Sequence, residues 1–313
     1  MSVSIRPYAP GDERAILDLF LTAFGKPLSM DYWNWRFRDN PVDKPRILLA
    51  WEGETLAAHY AVAPVHVGIA GNRVLSALSM TTMTHPDYRG QGLFVKLAES
   101  LYSELRDSGY HMVWGFPNDQ SHRGLVRDLA WKDIAEIPML RLSVKERKPE
   151  AISASISEIH SFDNKFDCLW KSLLTTHRLG VWRDSNYLNW RLFGHPENRY
   201  RVLAIIQNGE ALGYTAWKRF ENDLDLVDFA AADASTARQL IQGIIDTANS
   251  EDMSAINAWV PLRDSVHHDF EKVGFRNTGG VTYFGVRLLA ETSMVEVTDP
   301  GQWHYAMIDS DVF

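Results

Sequence analysis

Hydrophobic positions along the chain follow two spacings. From Leu93 a leucine recurs at every fourth residue, through Leu97, Leu101 and Leu105, which predicts one apolar stripe on a helix that Gly109 ends. Just before it, the stretch from Met80 reads as a strand rich in Thr and Met. Pro86, with no N–H to give a ladder, stops that strand. Between the two stands Arg89-Gly90-Gln91-Gly92, so Met80–Leu105 predicts a strand, a tight turn and a helix. Glycines at the mouth of a helix leave backbone N–H groups unobstructed, and the helix dipole adds partial positive charge. The natural guest of such a turn is a phosphate or pyrophosphate.

The same reading applied from the N-terminus gives a short strand around Ile5, then Pro10-Gly11-Asp12 turning into a helix with Ile16, Leu19, Phe20 and Phe24 on one side and Asp12 as a candidate N-cap. The aromatic run Tyr32-Trp33-Asn34-Trp35-Arg36-Phe37 predicts a helical turn packed on the core. Strands follow at Arg46–Trp51 and Leu56–Val65 around Glu52-Gly53-Glu54. A second pair, His66–Ile69 and Val74–Thr84, surrounds Ala70-Gly71-Asn72-Arg73. Tyr110–Phe116 predicts a strand ended by Pro117, and Asn118–Leu129 a helix closing at Ala130-Trp131.

The chain then repeats itself. Tyr32-Trp33-Asn34-Trp35-Arg36-Phe37 recurs 155 positions later as Tyr187-Leu188-Asn189-Trp190-Arg191-Leu192, and Pro41 and Arg46 recur as Pro196 and Arg201. Gly53-Glu54-Thr55-Leu56 is paralleled by Gly209-Glu210-Ala211-Leu212, and Leu129-Ala130-Trp131 by Val273-Gly274-Phe275. Matches across most of each half predict a duplicated domain. The charged, Ser-rich stretch near Lys145–Ile159 suits a linker. In place of the glycine turn the second copy offers Ala232-Asp233-Ala234-Ser235-Thr236, where Asp233 sets a negative charge against any pyrophosphate.

Composition narrows the classes. The chain has 313 residues, enough for two domains with real cores, with 45% hydrophobic and 23% charged residues. A formal charge of -8 argues against a nucleic-acid partner. Cys168 is the one cysteine, which excludes an intramolecular disulfide and a cysteine-built metal site; a buried small hydrophobe is its default reading. No apolar run reaches membrane-spanning length and no signal-peptide core is visible, so a cytoplasmic protein without membrane partner is expected. His267 and Glu271 stand four apart, but without further ligands the stretch reads as surface helix, and no metal is expected.

The run His85-Pro86-Asp87-Tyr88-Arg89-Gly90-Gln91-Gly92-Leu93-Phe94 resembles the acyl-CoA-binding signature of the GNAT superfamily of N-acyltransferases. Arg89 and Gly92 match its first and fourth positions; Phe94 takes the sixth, where a small residue is usual. The resemblance implies an α/β (α+β) fold of two tandem GNAT-like domains, each a mixed, largely antiparallel sheet flanked by helices. Residues 1–145 would bind acyl-CoA (acetyl-CoA or a longer one), 146–160 would link, and 161–313 would be a degenerate copy forming part of the acceptor pocket. It further implies acyl-CoA contacts from Thr82, Met83 and Thr84 through main chain, and from Arg89, Gly90, Gln91, Gly92, Leu93, Phe94 and Asn118.

Chemistry of this kind is direct attack of an amine on the thioester. It needs a base for the amine, an N–H for the thioester oxygen, and a proton for the leaving thiolate. The tyrosine that the family often carries on the helix after the next strand is absent; Leu125 and Val126 stand there. Catalytic candidates are therefore Asn118, which either meets the thiolate side of CoA or caps a helix, Thr81 as a holder of water, and His59. Tyr60, Asp119 and His122 are candidates for acceptor contact or proton movement, although His59 and His122, with no carboxylate at fixed spacing, read more readily as packed or surface residues. Trp114 and Trp217 are candidates for stacking on a sugar or base, or else core. The tandem organisation and Phe116-Pro117-Asn118 resemble bacterial acyltransferases of surface-polysaccharide (lipopolysaccharide) pathways, which implies a nucleotide-linked amino sugar as acceptor. A generic small-amine or peptide N-acetyltransferase and a non-catalytic acyl-CoA sensor are the alternatives.

Overall fold

The computed structural model describes residues 3–144, 156–176, 179–290 and 297–313. The chain forms two compact units. The first takes in residues up to His66, Val74–Ala135 and Tyr283–Thr298; the second takes in Val67–Arg73, Glu136–Thr282 and Asp299–Phe313.

In chain order the first half runs β1 (Ser4–Pro7), α1 (Glu13–Phe24), α2 (Met30–Trp33), β2 (Arg46–Glu52), β3 (Thr55–Ile69), β4 (Asn72–Thr84), α3 (Leu93–Asp107), β5 (Met112–Gly115), α4 (Asp119–Asp128) and β6 (Lys132–Ser143). The second runs β7 (Ile156–Ile159), α5 (Asn164–Thr176), β8 (Leu179–Val181), α6 (Ser185–Leu188), β9 (Arg201–Gln207), β10 (Glu210–Phe220), β11 (Asp223–Ala231), α7 (Ala234–Ser250), β12 (Ala255–Ala258), α8 (His267–Val273), β13 (Arg276–Leu288) and β14 (Trp303–His304). In the first unit the strand order is β1-β2-β3-β4-β5-β13, the last through its C-terminal residues. Only β4 and β5 are parallel among the registered pairs, joined through α3 as crossover. In the second unit β11 and β12 are a parallel pair joined through α7, flanked by antiparallel β10, β9 and β7 on one side and β6 on the other.

The leucine stripe does what its spacing predicts. Leu93, Leu97, Leu101 and Leu105 are buried with Ala98 and Tyr102 against Leu48, Ala58, Tyr60 and Val62 of the sheet. Each such leucine contributes roughly 1.5–3 kcal/mol by leaving water. In the second unit Leu240, Ile241, Ile244 and Ile245 of α7 fill the equivalent role over Leu224, Leu226 and Ile256.

The sequence repeat is also a structural one. Both copies of the aromatic run enter as one α turn, capped by Ser29 Oγ on Tyr32 N at 3.0 Å and by Asp184 Oδ1 on Tyr187 N at 2.9 Å. Both then widen into a π turn, with Asp39 N donating to Asn34 O at 2.7 Å and Gly194 N to Asn189 O at 2.8 Å. A single π turn is uncommon, so finding one at the same place in each half is specific support for duplication.

Several expectations change. His66–Ile69 is not a separate strand but the end of β3, because the chain reverses only where Ala70 and Gly71 take φ of 48° and 81°, the left-handed pair of a tight hairpin. Asp12 does not cap α1: its carboxylate takes Ala9 N and the Arg6 guanidinium instead. Phe24 is exposed and meets the Phe20 ring in a tilted contact, 4.7 Å between centroids. Cys168 is exposed, on the side of α5 away from buried Phe166, Leu169 and Trp170. Most of the expected linker lies outside the described residues; its end, Ile156–Ile159, pairs with β9, and Ile156 covers Gly243 of α7. No helix among the described residues is long and apolar enough to cross a membrane.

Candidate active site

The first unit has a fork in its sheet. Parallel β4 and β5 are registered only at Ala77↔Val113 and Leu78↔Trp114; beyond that β5 ends at Gly115 while β4 continues to Thr84. At the apex a Cβ on Gly115 would lie 3.1 Å from Ser79 O, so the two backbones approach as only glycine easily permits. Past the apex Thr81 adopts φ of 52°. For a β-branched residue this is a true outlier, costing on the order of 1–3 kcal/mol, and the surroundings must hold it.

His59 does so from β3. Its Nδ1 lies 2.7 Å from Thr81 O, and since a carbonyl only accepts, Nδ1 carries the proton. The ring is fully buried, Nε2 has no partner among the described residues, and burial pushes the pKa down to about 4. The imidazole at neutral pH is therefore uncharged with a defined tautomer.

A chain of hydroxyls reaches the apex from the other face. Trp131 Nε1 donates to Tyr102 OH at 3.0 Å, Tyr102 and Tyr60 share a bond of 2.7 Å, and Tyr60 and Ser79 one of 2.8 Å. An indole N–H can only donate, which fixes Tyr102 OH as the acceptor of that bond, while each of the two hydroxyl–hydroxyl bonds can be donated from either side. Burial pushes the Tyr60 phenol up to about 12, leaving it a neutral donor. Neither Tyr102 nor Ser79 was among the candidates that the sequence offered. The four residues come from β3, β4, α3 and the turn before β6, with no common spacing.

The loop leading into α3 is pinned by its neighbours. His85 N donates to Ala57 O at 2.9 Å, and Tyr88 OH to Glu52 Oε2 at 2.8 Å. Gly90 and Gly92 have φ of 77° and 72°, which explains both glycines. Gly92 is the N-cap position and offers no side chain to the first turn, and residues 89–92 are exposed. Phe94 finds room at its unusual position because Gly124 faces it: a Cβ there would sit 3.1 Å from the ring. Phe94 also faces the Tyr60 ring, 5.9 Å between centroids.

The remaining candidates separate. Asn118 is the N-cap of α4, its Oδ1 accepting from Gln120 N at 3.1 Å and Ser121 N at 3.0 Å, with Asp119 exposed beside it. His122 acquires the carboxylate that the sequence did not reveal: Nε2 lies 2.8 Å from Asp133 Oδ1 of β6, and the ring stacks on Tyr283 at 3.9 Å and 6°. Tyr60, Trp114 and Trp217 are corrected to core residues, with no ring face open to an acceptor. Trp114 donates to Ser76 Oγ at 3.0 Å, and Trp217 lies under the Arg201 guanidinium at 4.7 Å. His267 is buried, 3.1 Å from Val260 O, not on a surface; no cluster able to hold a metal occurs among the described residues.

The second unit builds the same β-α-β crossover, but a side chain caps its helix. Asp233 caps α7 by accepting from Thr236 N at 2.8 Å, and these backbone bonds hold its carboxyl below the usual range.

Comparison with known proteins agrees with this geometry. Residues 4–132 match the family described as Acetyltransferase (GNAT) domain. No curated protein matches the chain. Among solved structures, a probable N-acyltransferase from Enterococcus faecalis V583 superposes with TM-score 0.74 at 13% identity, covering 92% of this chain and 73% of that one. A GCN5-related N-acetyltransferase from Anabaena variabilis gives 0.73 at 14% identity, with the same coverage of 92% and 73%. Saccharomyces cerevisiae N-myristoyltransferase with bound myristoyl-CoA gives 0.64 at 11%, covering 91% and 82%. These likenesses extend over both halves and make the fold a tandem GNAT arrangement.

Proposed function

We propose that this GNAT-type N-acyltransferase seats the pyrophosphate of acyl-CoA on Arg89–Gly92, threads the pantetheine into the β4–β5 fork, and delivers the acyl group to the amine of a nucleotide-linked aminodeoxy sugar. One observation carries the reading: the fork opens beside a helix whose N-terminal N–H groups are left free by a left-handed glycine. In the reaction the neutral amine attacks the thioester carbon, the C–S bond breaks, the nitrogen gives up one proton and the thiolate gains one. Main-chain N–H groups of Thr82–Thr84 would meet the thioester oxygen and pantetheine. Ser79, backed by the neutral Tyr60 phenol, is the proton donor we assign to the thiolate side in place of the missing helix tyrosine. His122, oriented by Asp133, and Asp119 are the groups we assign to the acceptor side.

The choice of acceptor is supported by the sequence resemblance of the loop and of Phe116-Pro117-Asn118. The myristoyl-CoA in the yeast enzyme brings long-chain CoA into consideration beside acetyl-CoA. Thiol release with mass spectrometry of products, over acyl-CoAs crossed with nucleotide amino sugars, polyamines and peptides, tests the reading. Turnover confined to an amino sugar and lost in Gly92→Glu is the expected result. Turnover only with simple amines or peptides overturns the acceptor, and acyl-CoA binding without any product overturns the transferase in favour of a sensor.

A further inference from the structure

We infer that His59 is a positioning residue, a lock that holds Thr81 in its left-handed conformation and thereby aims the main chain of Thr82–Thr84 into the fork. The inference rests on the proposed path of the pantetheine along those residues. Thr81 breaks the alternation of β4 immediately after the apex, so the orientation of every N–H and C=O from Thr82 onward depends on that one dihedral. Threonine does not hold such a φ unaided. Among the described residues, the one side-chain bond made to the Thr81 carbonyl is from the His59 Nδ1–H, at 2.7 Å and fully buried, where competition from water is absent.

The duplicated half supplies an internal control. Aligning Gly53-Glu54-Thr55-Leu56 with Gly209-Glu210-Ala211-Leu212 places Thr215 opposite His59. Thr215 Oγ1 lies 3.4 Å from Asp228 O, a weak bond, and no residue of β11 has positive φ even though its ladder with β10 shifts register at Ala216/Trp217. The half whose helix terminus is self-capped by Asp233 thus lacks the lock as well. The lock accompanies the open helix terminus and is not a general demand of this fold.

The test is a cycle of His59→Phe, Thr81→Gly and the double variant, with His59→Asn as the conservative replacement. Asparagine places an amide N–H near the position of Nδ1 and has nothing at Nε2. Apo unfolding temperature, KM for acetyl-CoA and kcat are read for each. His59→Phe is expected to lower the unfolding temperature and raise KM about tenfold, with a smaller change in kcat. His59→Asn is expected to recover most of both losses. Thr81→Gly alone is expected to cost about threefold in KM by loosening the strand, and to restore much of the stability lost in His59→Phe, since glycine takes this φ freely. Additive losses in the unfolding cycle would overturn the lock. So would a His59→Asn variant whose kcat collapses at unchanged KM, which would make Nε2 a base. Wild-type protein that binds no acyl-CoA would instead refute the proposed function, and the apo unfolding cycle would still decide the lock.

Discussion

Two helix N-termini occupy the same place in the two halves and differ in who satisfies them. At α3 the cap is Gly92 in the left-handed region, with no side chain offered to the first turn. At α7 it is Asp233 in extended conformation, its carboxylate on Thr236 N. Both crossovers join a parallel pair of strands and both helices bury an apolar stripe, so packing is conserved within the molecule while the polar terminus is not. The difference teaches that one side chain decides whether the positive end of such a helix is spent internally or kept for an anion.

The strongest way to break the comparison is to copy the second terminus into the first. Gly92→Asp sets a carboxylate among the N–H groups and forces a side chain into φ of 72°. Acyl-CoA affinity measured calorimetrically is expected to fall roughly hundredfold or more, equivalent to about 2.7 kcal/mol. An affinity within a few-fold of wild type would mean that the CoA phosphates lie elsewhere.

His59 provides the next effect. Its folded pKa of about 4 lies below the unfolded value of 6.5, so between these values the unfolded chain binds more protons. The stability contributed is fully present above about pH 6.5 and declines as pH falls toward 4, by on the order of 3 kcal/mol. Chemical unfolding at pH 7 and at intervals down to pH 4.5 should show this slope, and His59→Asn should remove that part of it. The second half, with Thr215 at the corresponding place, has nothing there to titrate.

Smaller effects sharpen the contrast. Asn118→Ala and Asp233→Ala each delete a helix cap, and each is expected to lower stability by about 1 kcal/mol in urea unfolding. Only Asn118→Ala is expected also to raise KM for acyl-CoA. If Asp233→Ala raises it equally, the second half is not the silent copy proposed here. Asp133→Asn, which weakens the orientation of His122, is expected to lower kcat by about tenfold while leaving the acyl-CoA KM near wild type.

Much of the fold was legible in advance because it is written in local periodicity. The stripe Leu93–Leu105, the stop at Gly109, the left-handed glycines of the loop and the recurrence of Tyr-x-Asn-Trp-Arg all depend on neighbours a few residues apart. Misplaced assignments depended on distant contacts. Tyr60, Trp114 and Trp217 carry ring faces suited to a ligand, yet strand alternation turns them into the core, where Ser79, Ser76 and Arg201 complete them. His122 looked solitary because Asp133 and Tyr283 reach it from other strands.

The sequence by itself determined the duplicated organisation, the strand-turn-helix with its anion-ready glycines, and the loss of that feature in the second copy. These follow from backbone preferences and side-chain spacing that act within one or two turns of chain. Only the tertiary structure decided that β4 and β5 part at Ser79 and Gly115, that Thr81 is bent and His59 holds it, and that Asn118 caps α4. Each of those depends on which backbone group of one strand faces which side chain of another. That pairing arises from the packing of the whole unit and leaves no periodic trace along the chain.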